Sequence, residues 1–181
     1  MNLVAAHDYP LMLAGWSALH SPMPRPKKPT FVIRPATERD ATRVGALAEE
    51  FAHYLRSLGD ETPLNFNAEA YLRDGFGPSP AFAGFVAERK DAILGYLLYH
   101  PGYDTDLAER VLWVVDLYVS EGTRRQGVGQ ALMDAAASEC RAQGARALMW
   151  SVYEPNRLAA EFYRGLGAQY VTDLNYMSWR V

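Results

Sequence analysis

Arg124-Arg125-Gln126-Gly127-Val128-Gly129 joins a stretch with strand character, Val114 to Ser120, to one whose apolar residues Val128, Leu132, Ala136 and Cys140 recur at helical spacing. A helix N-terminus presents N–H groups without intrahelical acceptors and about half a positive charge, so a turn in this position favours phosphate. Gly127 and Gly129 lack Cβ atoms and let a ligand approach the backbone, while Arg124 and Arg125 add positive charge. The spacing is not that of a P-loop, which needs GxxxxGK followed by Ser or Thr, and the first glycine of the dinucleotide fingerprint is missing. A pyrophosphate suits the turn. So does a plain strand–helix connection with solvated arginines, and the six residues alone leave both open.

Working outward, the elements alternate regularly from Phe31 onward. Phe31 to Arg34 reads as a short strand, and Thr37 with Asp40 forms a capping-box-like helix start. Val44, Leu47, Ala48, Phe51, Leu55 and Leu58 then follow at helical spacing. A second helix is expected from Asn67 to Gly75, broken by the tract Gly75 to Pro80. Strands are expected at Phe82–Arg89, Ile93–His100 and Val111–Ser120, the first two forming a hairpin across Lys90 and Asp91. After the turn come a helix ending near Gly144, a strand from Ala147 to Val152, a helix from Asn156 to Leu166, and strands at Gln169–Thr172 and Tyr176–Arg180. The proline-rich tract Ser21 to Thr30 reads as a linker, dividing an N-terminal extension (1–30) from one domain (31–181).

Composition narrows the function classes. The 181 residues carry a net charge of −3, which argues against a general nucleic-acid binder. No apolar run reaches the roughly 18 residues of a membrane span. The apolar stretch Leu11 to Leu19 has no basic residue before it, so no secretion signal is expected. Cys140, the one cysteine, excludes an intrachain disulfide and fits a cytoplasmic compartment. His7, His20, His53 and His100 show no metal-ligand spacing, and no metal is expected.

A second motif changes the weight of the first. Arg-x-x-Gly-x-Gly after a strand resembles motif A of the GNAT acetyltransferases, and Asn156-Arg157-Leu158-Ala159-Ala160-Glu161-Phe162-Tyr163 before Gly165-Leu166-Gly167-Ala168 is similar to their motif B. The resemblance implies an α/β (α+β) GNAT fold, with a mixed, mostly antiparallel sheet of about six to seven strands and about four helices. It implies acetyl-CoA as co-substrate, held through Arg124, Arg125, Gln126, Gly127, Val128, Gly129 and Gln130, with Leu117 and Val119 pairing by backbone with the pantetheine arm. Asn156 is a plausible N-cap and is counted with the co-substrate residues. Tyr163 matches the tyrosine that protonates the departing thiolate.

Phe31-Val32-Ile33-Arg34-Pro35-Ala36-Thr37 and Asp74-Gly75-Phe76-Gly77 look like spermidine/spermine acetyltransferases, a subfamily that includes thialysine enzymes. By that resemblance Tyr54 is a substrate-pocket tyrosine, Asp104 an acid near the pocket, and Asp116 the second acid of a Glu-Asp pair. The resemblance also implies a homodimer. Two acids of the pattern are absent: Val115 stands for the first of the pair and Leu55 for the acid after the tyrosine.

The expected reaction is acetylation of a small primary amine. At pH 7 about one such amine in a thousand is neutral, so a proton acceptor is required. Asp116 and Glu154 are the candidates nearest the reactive strands. Alternation puts Val115 and Asp116 on opposite faces, so Asp116 replaces the missing acid only if a bulge re-aims it. Acetylation of a peptide or protein amine, and an acetyl-CoA sensor without turnover, are the competing readings.

Overall fold

The computed structural model describes residues 30–171 and 177–179. The expected N-terminal extension lies outside them, Thr30 apart. Among the described residues five strands form one sheet in the order β1-β2-β3-β4-β5. They are β1 (Val32–Pro35), β2 (Ala83–Arg89), β3 (Ala92–Asp104), β4 (Glu109–Val119) and β5 (Ala147–Met149). The first four pair antiparallel in sequence, and β4 and β5 are parallel. Four α-helices complete the fold: α1 (Ala41–Ser57), α2 (Ala68–Phe76), α3 (Val128–Ala142) and α4 (Arg157–Gly165). The mixed, mostly antiparallel sheet is the expected one, with five strands among the described residues where about six to seven were expected. The two last expected strands lie partly outside the described residues, and 169–171 and 177–179 are not in strands.

Local chemistry explains the boundaries. The β2–β3 hairpin turns on Lys90 and Asp91 with φ of 50° and 65°, the left-handed pair of a two-residue turn matched to strand twist. Asn67 caps α2, its side chain accepting from the Ala70 N–H at 2.9 Å. Before α1, the Asp40 carboxylate accepts from the Thr37 backbone N–H at 2.8 Å, as the capping box requires. Asp40 also takes Arg34 bidentately at 2.7 and 2.8 Å, and Arg34 reaches Glu88 on β2. This network pins the start of α1 to the first two strands.

The sheet is covered on both faces. Val44, Leu47 and Ala48 of α1 and Tyr71 of α2 pack on Val86, Tyr96, Leu98 and Tyr118. On the other face Val128, Leu132, Met133, Ala136 and Cys140 of α3 pack on Leu97, Tyr99, Leu112 and Val114. β3 is therefore buried continuously from Ile93 to Tyr99, apolar on both sides as a two-sided strand must be. Cys140 belongs to this core, as its helical spacing indicated.

Candidate active site

The cleft begins where two strands part. β5 pairs with β4 only at Val111, Leu112 and Trp113, whereas β4 continues to Val119. Beyond Trp113 the edge of β4 that faced β5 is released. A cleft of about 710 Å³ opens there, lined by Leu117 and Val119 of β4, Arg124, Arg125, Gly127, Val128, Gly129 and Gln130 of the turn, and Asn156, Leu158, Ala159, Phe162 and Tyr163 of the α4 wall. Phe51 and Tyr54 of α1, Tyr118 of β4 and Glu121 complete it.

The turn is a concentrated donor site. None of the backbone N–H groups from Arg125 to Gln130 donates to a backbone acceptor among the described residues; Ala131 is the first to do so, to Gly127 O at 3.0 Å. Six successive free donors at a helix N-terminus match the oxygens of a pyrophosphate. Gly127 is left-handed (φ 83°), and Arg125 shares that region (φ 59°). The two glycines differ in purpose. Gly127 supplies the conformation, while a Cβ on Gly129 would meet the Phe162 ring at 3.3 Å, so Gly129 serves the approach of α4 to α3.

Arg124 is committed elsewhere. Its Nε donates to Val119 O at 3.1 Å, and its guanidinium lies 4.9 Å from the Tyr54 ring centre and 5.5 Å from that of Tyr118. Arg125 is exposed, and Gln126 accepts from Arg89 at 3.1 Å. Asn156 caps α4 as expected: its Oδ1 accepts from the Ala159 N–H at 3.1 Å and from the Tyr54 hydroxyl at 3.0 Å.

Tyr163 stands on the cleft wall against Trp150 and Phe162, at ring separations of 4.8 and 5.1 Å. Burial, then the charge of Asp116, pushes its pKa well above the ordinary tyrosine value. It is therefore a protonated donor throughout the physiological range.

The β3–β4 ladder contains the bulge that alternation alone would not supply. Leu98 pairs with Asp116 and Tyr99 with Val114, leaving Val115 unpaired and half exposed (52%). Leu112 and Val114 face α3, but after the bulge Tyr118 faces α1. Asp116 turns with Tyr118 and accepts from the Tyr96 hydroxyl. Burial pushes its carboxyl up to about 6, with Tyr96 and the Leu117 N–H acting in the opposite direction. Sequence reading missed Tyr96, whose hydroxyl carries no motif and is identified only by the register.

Asp104 lies at the tip of the β3–β4 hairpin, where its carboxylate accepts from the N–H groups of Asp106 and Leu107 at 3.0 Å. Six residues separate it from Leu98, the partner of Asp116, or about 20 Å along the strand, and it does not line the cleft. Glu154 is exposed in the turn before α4 and also lies outside the lining. His53 is exposed on α1. Among the described residues no group of His, Cys, Asp and Glu is placed to hold a metal ion, and no helix is long and apolar enough to cross a membrane.

A parting parallel pair, a donor-rich turn between them and a tyrosine on the facing helix define an acyl-CoA-dependent transferase architecture. Residues 46–168 match the Acetyltransferase (GNAT) family, and the chain belongs to that family. Thialysine N-epsilon-acetyltransferase of Bos taurus is 32% identical over 150 residues, covering 78% of this chain and 86% of that protein. An L-ornithine N5-acetyltransferase of Arabidopsis thaliana is 30% identical over 89 residues, 49% of this chain and 37% of that protein. In fold, an integron cassette protein from V. cholerae superposes with a TM-score of 0.69 at 22% identity, covering 84% of this chain and 93% of that one. The chain is an acetyltransferase, and its family uses acetyl-CoA as co-substrate.

Proposed function

We propose that the protein transfers the acetyl group of acetyl-CoA to the primary amine of a small molecule, such as a polyamine, thialysine or an amino-acid-like amine, by direct attack. The observation that carries this reading is the run of free N–H groups from Arg125 to Gln130 at one end of a cleft that holds Tyr163 on its wall. Names of the relatives, a thialysine and an ornithine acetyltransferase, support the acceptor class.

Acetyl-CoA supplies an activated carbonyl and a thiolate leaving group. The N–H groups from Arg125 to Gln130 would hold its pyrophosphate, with Arg124 and Asn156 bracing the site, and the backbone of Leu117 and Val119 would align the pantetheine arm. A backbone N–H of β4 stabilises negative charge on the carbonyl oxygen. As the new N–C bond forms and the C–S bond breaks, Tyr163 gives its proton to sulfur. Asp116, which is not itself among the residues lining the cleft, receives through water the proton the amine must lose. Moving a proton from an amine near 10.4 to an ordinary carboxylate spans roughly 6.5 pH units, and raising Asp116 to about 6 removes about 3 kcal/mol of that cost. By resemblance alone Tyr54 and Asp104 are acceptor-side groups; Asp104 lies outside the lining of this chain's own cleft. A homodimer and a cytoplasmic location belong to the same reading, the first testable by light scattering and the second by fractionation.

The test is acetyl-CoA-dependent thiol release with spermidine, thialysine, lysine, ornithine and amino-acid amides. Saturable turnover of one amine identifies the acceptor. Binding of acetyl-CoA without turnover of any of them, or of peptides, would transfer the reading to a sensor.

A further inference from the structure

Tyr54 touches both walls of the cleft. It rises from α1, which belongs to neither wall. Its hydroxyl donates to Asn156 Oδ1, the atom that also caps α4 through the Ala159 N–H. Its ring lies under the guanidinium of Arg124, the first residue of the phosphate-binding turn. Arg124 is fixed in turn by Val119 O and by the Tyr118 ring on its other neighbour. The chain of contacts is therefore α4 N-cap, Tyr54, Arg124, β4.

Among the described residues no other hydrogen bond joins the start of α4 to α1 or to the turn. β5 leaves β4 after Trp113, so the backbone ladder does not hold α4 against the turn. The separation of the walls is thus set by an apolar contact of Phe162 with Gly129 and by the Tyr54 hydroxyl and ring.

We propose that Tyr54 is a positioning residue for the co-substrate: with Asn156 and Arg124 it forms a clasp that fixes the width of the cleft and thereby the affinity for acetyl-CoA. This rests on the acetyl-CoA reading of the cleft but not on the identity of the acceptor. It assigns Tyr54 a role opposite to the acceptor-side one that resemblance suggests. Tyr54→Phe removes the hydroxyl bond and keeps the ring under Arg124. Arg124→Lys keeps the charge and loses the planar group that stacks.

The measurement is calorimetric titration of the purified full chain with acetyl-CoA and with coenzyme A, which needs no acceptor. Tyr54→Phe is expected to weaken both about five- to tenfold, the net contribution of one hydrogen bond. Arg124→Lys is expected to weaken them comparably, and the double variant to lose less than the product of the two, since both act through one clasp. The thermal midpoint without ligand should move little, whereas its rise on adding acetyl-CoA should shrink. Once an acceptor is found, Tyr54→Phe should raise KM for acetyl-CoA and leave KM for the amine within twofold.

Unchanged acetyl-CoA affinity in Tyr54→Phe, with a raised KM for the amine, overturns the clasp and restores the acceptor-side role. Independent, multiplicative losses in the double variant also overturn it. Failure of the unaltered protein to bind acetyl-CoA sinks the functional reading itself, a result distinct from either of these.

Discussion

The Tyr96 hydroxyl donates to Asp116 Oδ2 at 2.5 Å across the β3–β4 ladder, beside the unpaired Val115. An acid is thereby held on the α1 face, although the residue preceding it, where the related pattern has its first acid, is valine. The bulge inverts the facing of β4 from that point onward, so one unpaired residue alters which side chains meet the acceptor side. Tyr96 is itself almost wholly buried, and burial followed by the charge of Asp116 pushes its pKa far up, so it acts as a fixed donor.

Acid inhibition follows from the proposed role of Asp116 as proton acceptor. In that role the group works as a carboxylate, so activity should fall as pH drops through about 6. Asp116→Asn should remove that limb and lower kcat by roughly 10²- to 10⁴-fold, the usual range for a positioned base. Tyr96→Phe deletes a bond that favours the carboxylate, so the limb should move to higher pH. A profile of kcat/KM from pH 5 to 9 for the three proteins checks this, and an unmoved limb in Tyr96→Phe counts against the pair.

The same carboxyl has a stability consequence of opposite sense to an ordinary salt-bridged acid. Its folded pKa lies above the unfolded value, so the native state binds more protons between about pH 4 and 6. Stability attributable to Asp116 should decline as pH rises through that window and stay low above it. Asp116→Asn should therefore be at least as stable as the parent at pH 8 by urea denaturation, even though it is impaired in catalysis.

Tyr163→Phe should lower kcat about a hundredfold and leave the calorimetric affinity for acetyl-CoA unchanged, because the ring contacts with Trp150 and Phe162 survive. A protein that only senses acetyl-CoA would show no effect. With its pKa held far up, Tyr163 should contribute no alkaline limb below pH 10.

Gly127→Ala and Gly129→Ala should differ in kind. At Gly127 there is open space but φ of 83°, so alanine should cost about 1–2 kcal/mol of conformational strain and weaken acetyl-CoA binding by disturbing the free N–H groups. At Gly129 the backbone is ordinary and the obstacle is Phe162 at 3.3 Å. Phe162→Leu should rescue Gly129→Ala and leave Gly127→Ala unimproved, as read by thermal midpoints.

Away from the site, Asp40→Asn should destabilise the fold by about 1.5–3 kcal/mol by removing the bidentate partner of Arg34, which keeps Glu88. Burial raises the Asp40 carboxyl, but Arg34 and Thr37 together outweigh it and hold the pKa below the ordinary value. That stability is present above about pH 4 and lost as pH falls below it, where the parent and Asp40→Asn should converge.

Sequence alone determined the elements and the turn. Val44, Leu47, Ala48 and Val128, Leu132, Ala136 sit where helical spacing put them, Asn67 and Asn156 cap the helices they precede, and Lys90–Asp91 closes its hairpin. These are local effects: a cap, a period or a two-residue turn is set by neighbours in the chain, and motifs A and B record where backbone donors and a tyrosine recur. The tertiary structure alone decided the bulge at Val115, the pairing of Tyr96 with Asp116, the clasp of Tyr54 on Asn156, the separate purposes of Gly127 and Gly129, and the distance of Asp104 from the cleft. The Tyr96–Asp116 and Tyr54–Asn156 contacts bring residues 20 and 102 positions apart within hydrogen-bond range. Register and packing, which no local pattern encodes, set those distances.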